Sequence, residues 1–159
     1  FSFEAAYIEF HRCCGVKKWV TQMADRRPFS TRNDLLAAAD TIWNALDPSE
    51  WKDSFAHHPR IGDLEALKEK FAATAQWVEG EQAGIQTASE EILKNFASGN
   101  KEYEEKFGYV FIVCATGKSA QEMLSTLQRR LQNDPELELA VAAEEQLKIT
   151  RIRLEKLLG

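Results

Sequence analysis

Tyr109-Val110-Phe111-Ile112-Val113-Cys114-Ala115, followed by Thr116-Gly117-Lys118-Ser119, is the stretch on which the fold class turns. Its first seven residues read as a buried strand, being continuously apolar and bounded by glycines. The Gly-Lys-Ser that follows invites comparison with a phosphate-binding loop. That loop needs a further glycine five positions before the one preceding lysine, and Ile112 stands there. A lone strand-like run also cannot build the parallel sheet on which such loops sit. Lys118 and Ser119 are therefore expected to cap a helix beginning near Ser119. The rest of the chain is helical in pattern, so the reading is all-α.

Outward from this run the helices follow one another. On the N-terminal side, Tyr103 and Phe107 continue a helix up to Gly108. Residues 74–98 read as one helix, with Val78, Ile85, Ile92 and Phe96 at helical spacing. Asn95 to Asn100, with Gly99, is expected to kink or turn. Residues 3–15 carry Phe3, Ala6, Tyr7 and Phe10 on one side, with Gly15 as a stop; Trp19, Val20 and Met23 mark a second helix. Ser30 or Thr31 caps a third, bearing Leu35, Leu36, Ala39, Ile42, Trp43 and Leu46 on one face. Asp47-Pro48-Ser49-Glu50 is a helix start, with Asp47 as cap, Pro48 in the first turn and Glu50 at the capping-box position. On the C-terminal side, Asn133-Asp134-Pro135 turns into a last helix over 136–158. The expectation is one compact domain, residues 1–159, of about eight to ten helices.

Three polar intrusions break the apolar rows. Phe55-Ala56-His57-His58-Pro59-Arg60-Ile61-Gly62-Asp63 holds two of the three histidines. The residue before a proline is pushed out of helical conformation, which puts His58 where a helix ends. There it can cap the last carbonyls or point across a cleft and exchange a proton near neutral pH. Next, Gln82 and Ser89 share the row of Val78 and Ile85, with Glu81 one position round and Gly80 and Gly84 beside the pair. These groups either lie solvated in a frayed turn or need partners, since burying them unpaired costs roughly 1–3 kcal/mol each. Last, Arg153 lies between Ile149 and Leu157 on an otherwise apolar row. It either snorkels or offers its planar fork to an anion.

Composition sets the bounds. The 159 residues suffice for one domain with a sizeable core. A net charge of −5 without a dense basic cluster argues against nucleic acid as a partner. No apolar run approaches the ~20 residues of a membrane span, and no signal peptide is expected. The start at Phe1, without methionine, leaves room for residues or a fused domain upstream. Cys13, Cys14 and Cys114 are an odd set, expected as small core residues in a reducing cytoplasm. No Cys-x-x-Cys or His-x-x-x-His spacing marks a metal site.

Taken together, His58-Pro59-Arg60-Ile61-Gly62, Gly80-Glu81-Gln82, Lys106 to Ala115, and Glu145-Gln146-Leu147-Lys148-Ile149 with Arg153-Leu154 resemble the OHCU decarboxylase family. The likeness runs from the Cys13-Cys14 region to the last helix. These enzymes act on 2-oxo-4-hydroxy-4-carboxy-5-ureidoimidazoline (OHCU), in the last step from urate to (S)-allantoin. The resemblance implies His58 as acid/base, with Pro59 lining the substrate. It implies Glu81 bonding the substrate hydroxyl or orienting His58, and Gln82 reading the ring or ureido amides. Phe111, Ile112, Val113, Cys114 and Ala115 would contribute backbone contacts, and Arg153 would face the anionic part of the substrate. It further implies a homodimer and no cofactor or metal. One departure is Val78, where many family members carry serine as a substrate contact; this puts affinity or substrate choice in question more than reaction class. Retention of His58, Glu81, Gln82 and Arg153 together separates an enzyme from a non-enzymatic helical binding domain of the same fold.

Overall fold

The computed structural model describes residues 2–58, 82–114 and 119–159, with the side chains of 82–89 outside the description. Among the described residues there are seven helices and no strand, against eight to ten helices expected for the whole chain. They are α1 (Phe3–Cys13), α2 (Lys17–Asp25), α3 (Arg32–Asn44), α4 (Pro48–Phe55), α5 (Gln82–Phe107), α6 (Ala120–Arg130) and α7 (Pro135–Leu158). The chain is all-α, in two compact units: Phe1–His58 with Leu139–Gly159, and Pro59–Glu138.

In the first unit, local signals start the helices. Ser2 caps α1 by accepting from the Ala5 N–H at 3.1 Å, and Thr31 caps α3 by accepting from Asp34 at 3.1 Å. Asp47 precedes Pro48 at the start of α4, and its own N–H donates to Glu50 Oε1 at 3.2 Å. The apolar face read on the third helix is buried throughout. Three indoles then tie the unit together. Trp19 Nε1 donates to the Ala39 carbonyl (3.2 Å), Trp51 Nε1 to Trp43 (3.0 Å) and Trp43 Nε1 to Ala143 on α7 (3.0 Å). Each ring thus buries its apolar body while its one polar atom is satisfied.

In the second unit, α5 runs unbroken through Asn95–Asn100, correcting the expected kink. Gly99 serves packing instead: a Cβ there would lie 2.7 Å from Leu127 Cδ2 on α6. α5 ends at Gly108, whose φ of +84° suits glycine and whose N–H returns to Glu104 O at 2.8 Å. Ser119 caps α6 as expected, accepting from Glu122 N–H at 3.2 Å; Lys118 lies outside the described residues.

The expected strand over Tyr109–Ala115 is not one: residues 110–114 are irregular, and Ala115 lies outside the described residues. An apolar run becomes a strand only when a second strand satisfies its backbone, and no other strand occurs among the described residues. Part of that satisfaction comes from a side chain. Arg130 Nη1 donates to the Ile112 carbonyl at 2.7 Å. Arg130 is itself buried, its Nη2 2.6 Å from Glu138 Oε2. Glu138 also accepts from the Tyr103 hydroxyl and from Asn133 Nδ2 at 3.1 Å. The Phe111 ring packs between Tyr103, with centroids 5.3 Å apart, and the Arg130 guanidinium, 4.5 Å from its centroid.

Candidate active site

His58 stands where the proline rule put it. α4 closes at Phe55, and the His58 N–H reaches back to the Phe55 carbonyl at 3.2 Å. The half-buried imidazole carries its Nε2 to the amide oxygen of Gln146, 88 residues along the chain on α7. Gln146 is 2% exposed and donates through its own Nε2 to Thr150 Oγ1 at 3.1 Å, one turn on. Thr150 is fully buried. A line of polar groups therefore runs from the histidine through Gln146 to Thr150. Each member satisfies the next, as burial demands.

His57 has a different setting. Its exposed ring lies over Gly15, where a Cβ would come within 2.7 Å of Cδ2, and packs edge-on against His11 at 6.3 Å. A side chain at Gly15 would therefore displace the His57 ring from this position.

Arg153 Nη1 donates to the Cys13 carbonyl at 3.3 Å, at the C-terminal end of α1. That position favours a cation, because the last carbonyls of a helix lack intrahelical donors. The residue is exposed, with its remaining guanidinium donors available to solvent or ligand. Burial pushes the Cys13 and Cys14 thiols up to about 11, the Arg153 charge opposing this in both cases. They are core thiols rather than nucleophiles at neutral pH.

Of the other residues singled out, Pro59, Val78 and Glu81 lie outside the described residues, as does Ala115. Gln82 is the first residue of α5, its side chain outside the description. Phe111, Ile112, Val113 and Cys114 belong to the second unit. There the Ile112 side chain is core and its carbonyl is engaged by Arg130. The structure thus gathers His58 and Arg153 in one unit, and Phe111 to Cys114 in the other. Gln146 entered the sequence reading only as part of a family motif, without a role, and Thr150 was not singled out. The available signal was a glutamine and a threonine spaced i, i+4 on the inward face of a helix. Among the described residues no group of three His, Cys, Asp or Glu side chains is placed to hold a metal ion. No described helix is long and apolar enough to cross a membrane.

Comparison with known proteins shows the family. The family model described as OHCU decarboxylase matches residues 1–155. The uric acid degradation bifunctional protein TTL of Arabidopsis thaliana is 34% identical over 156 residues, covering 98% of this chain and 48% of its own length. The chain therefore spans about half of that relative. The 2-oxo-4-hydroxy-4-carboxy-5-ureidoimidazoline decarboxylase of Mus musculus is 31% identical over 134 residues, covering 84% of this chain and 75% of its own. Among solved structures, an OHCU decarboxylase crystallised in the presence of (S)-allantoin superposes with a TM-score of 0.74 at 33% identity. It covers 94% of this chain and 96% of its own.

Proposed function

Because this chain belongs to the OHCU decarboxylase family, we propose that it converts 2-oxo-4-hydroxy-4-carboxy-5-ureidoimidazoline to (S)-allantoin. The observation that carries the reading is His58. It is a half-buried imidazole projected from the end of α4 and held by a buried amide, in a chain that matches the family along its length.

The chemistry suits such a group. The bond from C4 to its carboxylate breaks, carbon dioxide leaves, and the electron pair passes into the adjacent ring C=N. A separate electron-sink cofactor is then unnecessary. The ring nitrogen takes up a proton, leaving an enol at C4=C5; as the C4 hydroxyl gives up its proton to become the carbonyl, a proton must be added to one face of the ureido-bearing C5, which sets the (S) configuration. His58 delivers it as general acid, imidazole being the side chain suited to proton exchange near neutral pH. Glu81 bonds the substrate hydroxyl or orients His58, and Gln82 reads the ring or ureido amides. Pro59, Val78 and the backbone of Phe111–Ala115 line the substrate. Arg153 faces its anionic part, its guanidinium suited to a carboxylate. Val78 supplies no side-chain hydrogen bond where a hydroxyl is usual, so the expected consequence is weaker binding rather than a different reaction.

The same reading implies a homodimer and a reducing, cytoplasmic setting; the three free thiols support the latter. The test is a circular-dichroism time course. Urate, urate oxidase and hydroxyisourate hydrolase generate the substrate in the cuvette, and the protein is then added. Rapid loss of the intermediate's signal with persistent (S)-allantoin is the expected result. Decay at the spontaneous rate to racemic product would instead identify a non-enzymatic relative of the same fold. Light scattering on the same sample reads the oligomeric state.

A further inference from the structure

We infer that Arg130 is a positioning residue for the proposed reaction: from inside its unit it fixes the backbone of Phe111–Cys114 in the shape that meets the substrate. This deepens the proposed function and rests on its reading of that segment as substrate-lining.

Residues 110–114 form no helix or strand, so side chains must set their shape. One guanidinium reaches two consecutive residues in two directions. Its Nη1 donates to the Ile112 carbonyl at 2.7 Å. The Phe111 ring lies 4.5 Å from the same guanidinium, and Tyr103 and Phe96 meet that ring edge-on at 5.3 and 6.1 Å between centroids. A guanidinium is planar and rigid, so it aims at both only if it is itself held. Glu138 holds it: the carboxylate takes Nε at 3.0 and 3.1 Å and Nη2 at 2.6 Å, and Nη1 is left directed at the carbonyl. Two helix ends seat the charges. Arg130 is the last residue of α6, where a cation is favoured, and Glu138 lies in the first turn of α7, where an anion is. Arg130 is 3% exposed and Glu138 0%, so their effect reaches a ligand through the segment. Ile112 is buried as well, whereas Phe111, Val113 and Cys114 are only half-buried. The anchored residue faces the interior and its neighbours stay partly open. A buried ion pair is a poor source of stability, since apolar replacement of both partners is often neutral. Aiming a donor at one carbonyl and a flat cation at one ring is what an apolar pair cannot do.

Variants of the full chain are compared by (S)-allantoin calorimetry, coupled turnover and amide exchange over residues 111–114. Arg130→Lys keeps a charge beside Glu138 but loses the fork and the flat face. It is expected to bind (S)-allantoin about tenfold more weakly and to raise KM about tenfold, the worth of one hydrogen bond, with a smaller change in kcat and faster exchange at 111–114. Tyr103→Phe is the structural control. It removes one donor to Glu138 but keeps its ring against Phe111 and Arg130 in place. It is expected to lower the melting temperature and leave affinity, KM and exchange at 111–114 unchanged. A residue serving stability alone would reduce the active fraction in step with unfolding and move neither KM nor affinity. Should Arg130→Lys fail to fold, Arg130→Met combined with Glu138→Gln removes both charges together, so that neither is left buried and unpaired; the same losses are expected. Wild-type KM and affinity in the Arg130 variant that folds overturn the inference. So does a Tyr103→Phe protein that loses as much affinity as the Arg130 variant. A wild type that leaves the ureidoimidazoline to decay spontaneously overturns the reaction reading. Exchange then decides the anchor: faster exchange in the Arg130 variant than in Tyr103→Phe supports it, and equal rates overturn it.

Discussion

Arg130 and Glu138 form a fully buried ion pair, the guanidinium reaching the carboxylate through Nε at 3.0 and 3.1 Å and through Nη2 at 2.6 Å. Tyr103, Asn133 and the Ile112 carbonyl complete the set. Every member of this network that meets a charge does so through a hydrogen bond, which is the condition under which a buried pair is tolerated.

Removing one member leaves the other charge buried and unpaired. Glu138→Ala is expected to lower unfolding stability by about 3–5 kcal/mol. Tyr103→Phe, which leaves Glu138 its other donors, should cost only about 1–2 kcal/mol. Urea denaturation of both variants checks the order; equal losses would mean that the phenol, not the ion pair, organises the segment.

Gly99→Ala sets two effects against each other. Alanine gains about 1 kcal/mol of helix propensity, but its methyl would meet Leu127, itself 0% exposed and unable to swing aside. Overpacking of this kind costs about 1–3 kcal/mol, so a net loss of stability is expected. A raised urea midpoint would show that α6 yields.

His58→Asn should remove catalysis by a factor of about 10²–10⁴, the usual worth of a positioned acid/base. It leaves the Gln146 oxygen poorly matched, a loss of about 1–3 kcal/mol, so melting should fall by several degrees with helicity retained. The coupled circular-dichroism assay and a thermal melt on one preparation test both. Activity that merely follows the folded fraction would assign His58 to capping.

Arg153→Gln separates two roles. Loss of one hydrogen bond from this exposed side chain to the end of α1 should cost about 1 kcal/mol. If the guanidinium also meets the substrate's anionic part, KM should rise about tenfold or more, as for a charge-assisted bond. Steady-state kinetics beside a denaturation curve resolve this; an unchanged KM would confine Arg153 to the end of α1.

Cys14 makes stability pH-dependent in a stated direction. Its thiol titrates near 9.0 unfolded and about 11 folded, burial being the main cause. Between those values the native state binds more protons than the unfolded one, so stability is full below about pH 9 and falls as pH rises towards 11. Comparing urea midpoints at the two ends of this window, wild type against Cys14→Ala, isolates the thiol from tyrosine and lysine titration. Equal slopes would remove the cysteine from the effect.

What the sequence determined by itself was whatever depends on neighbours within a turn or two. Thr31, Asp47 with Pro48, and Ser119 start their helices through contacts three residues long, and Gly108 ends one because its φ is positive. Pro59 placed His58 at a helix end for the same local reason. The family resemblance was legible because its motifs are short. What only the tertiary structure decided are pairings between distant residues. Ile112 took Arg130 in place of a partner strand, so an apolar run became an irregular segment. Gly99 became a packing site because Leu127 lies against it. Gln146 met His58 across 88 residues. Helical periodicity says that a side chain faces inward; it does not say which group waits there. That choice belongs to the packing of whole helices, in which each buried polar atom must find its partner among all those brought near.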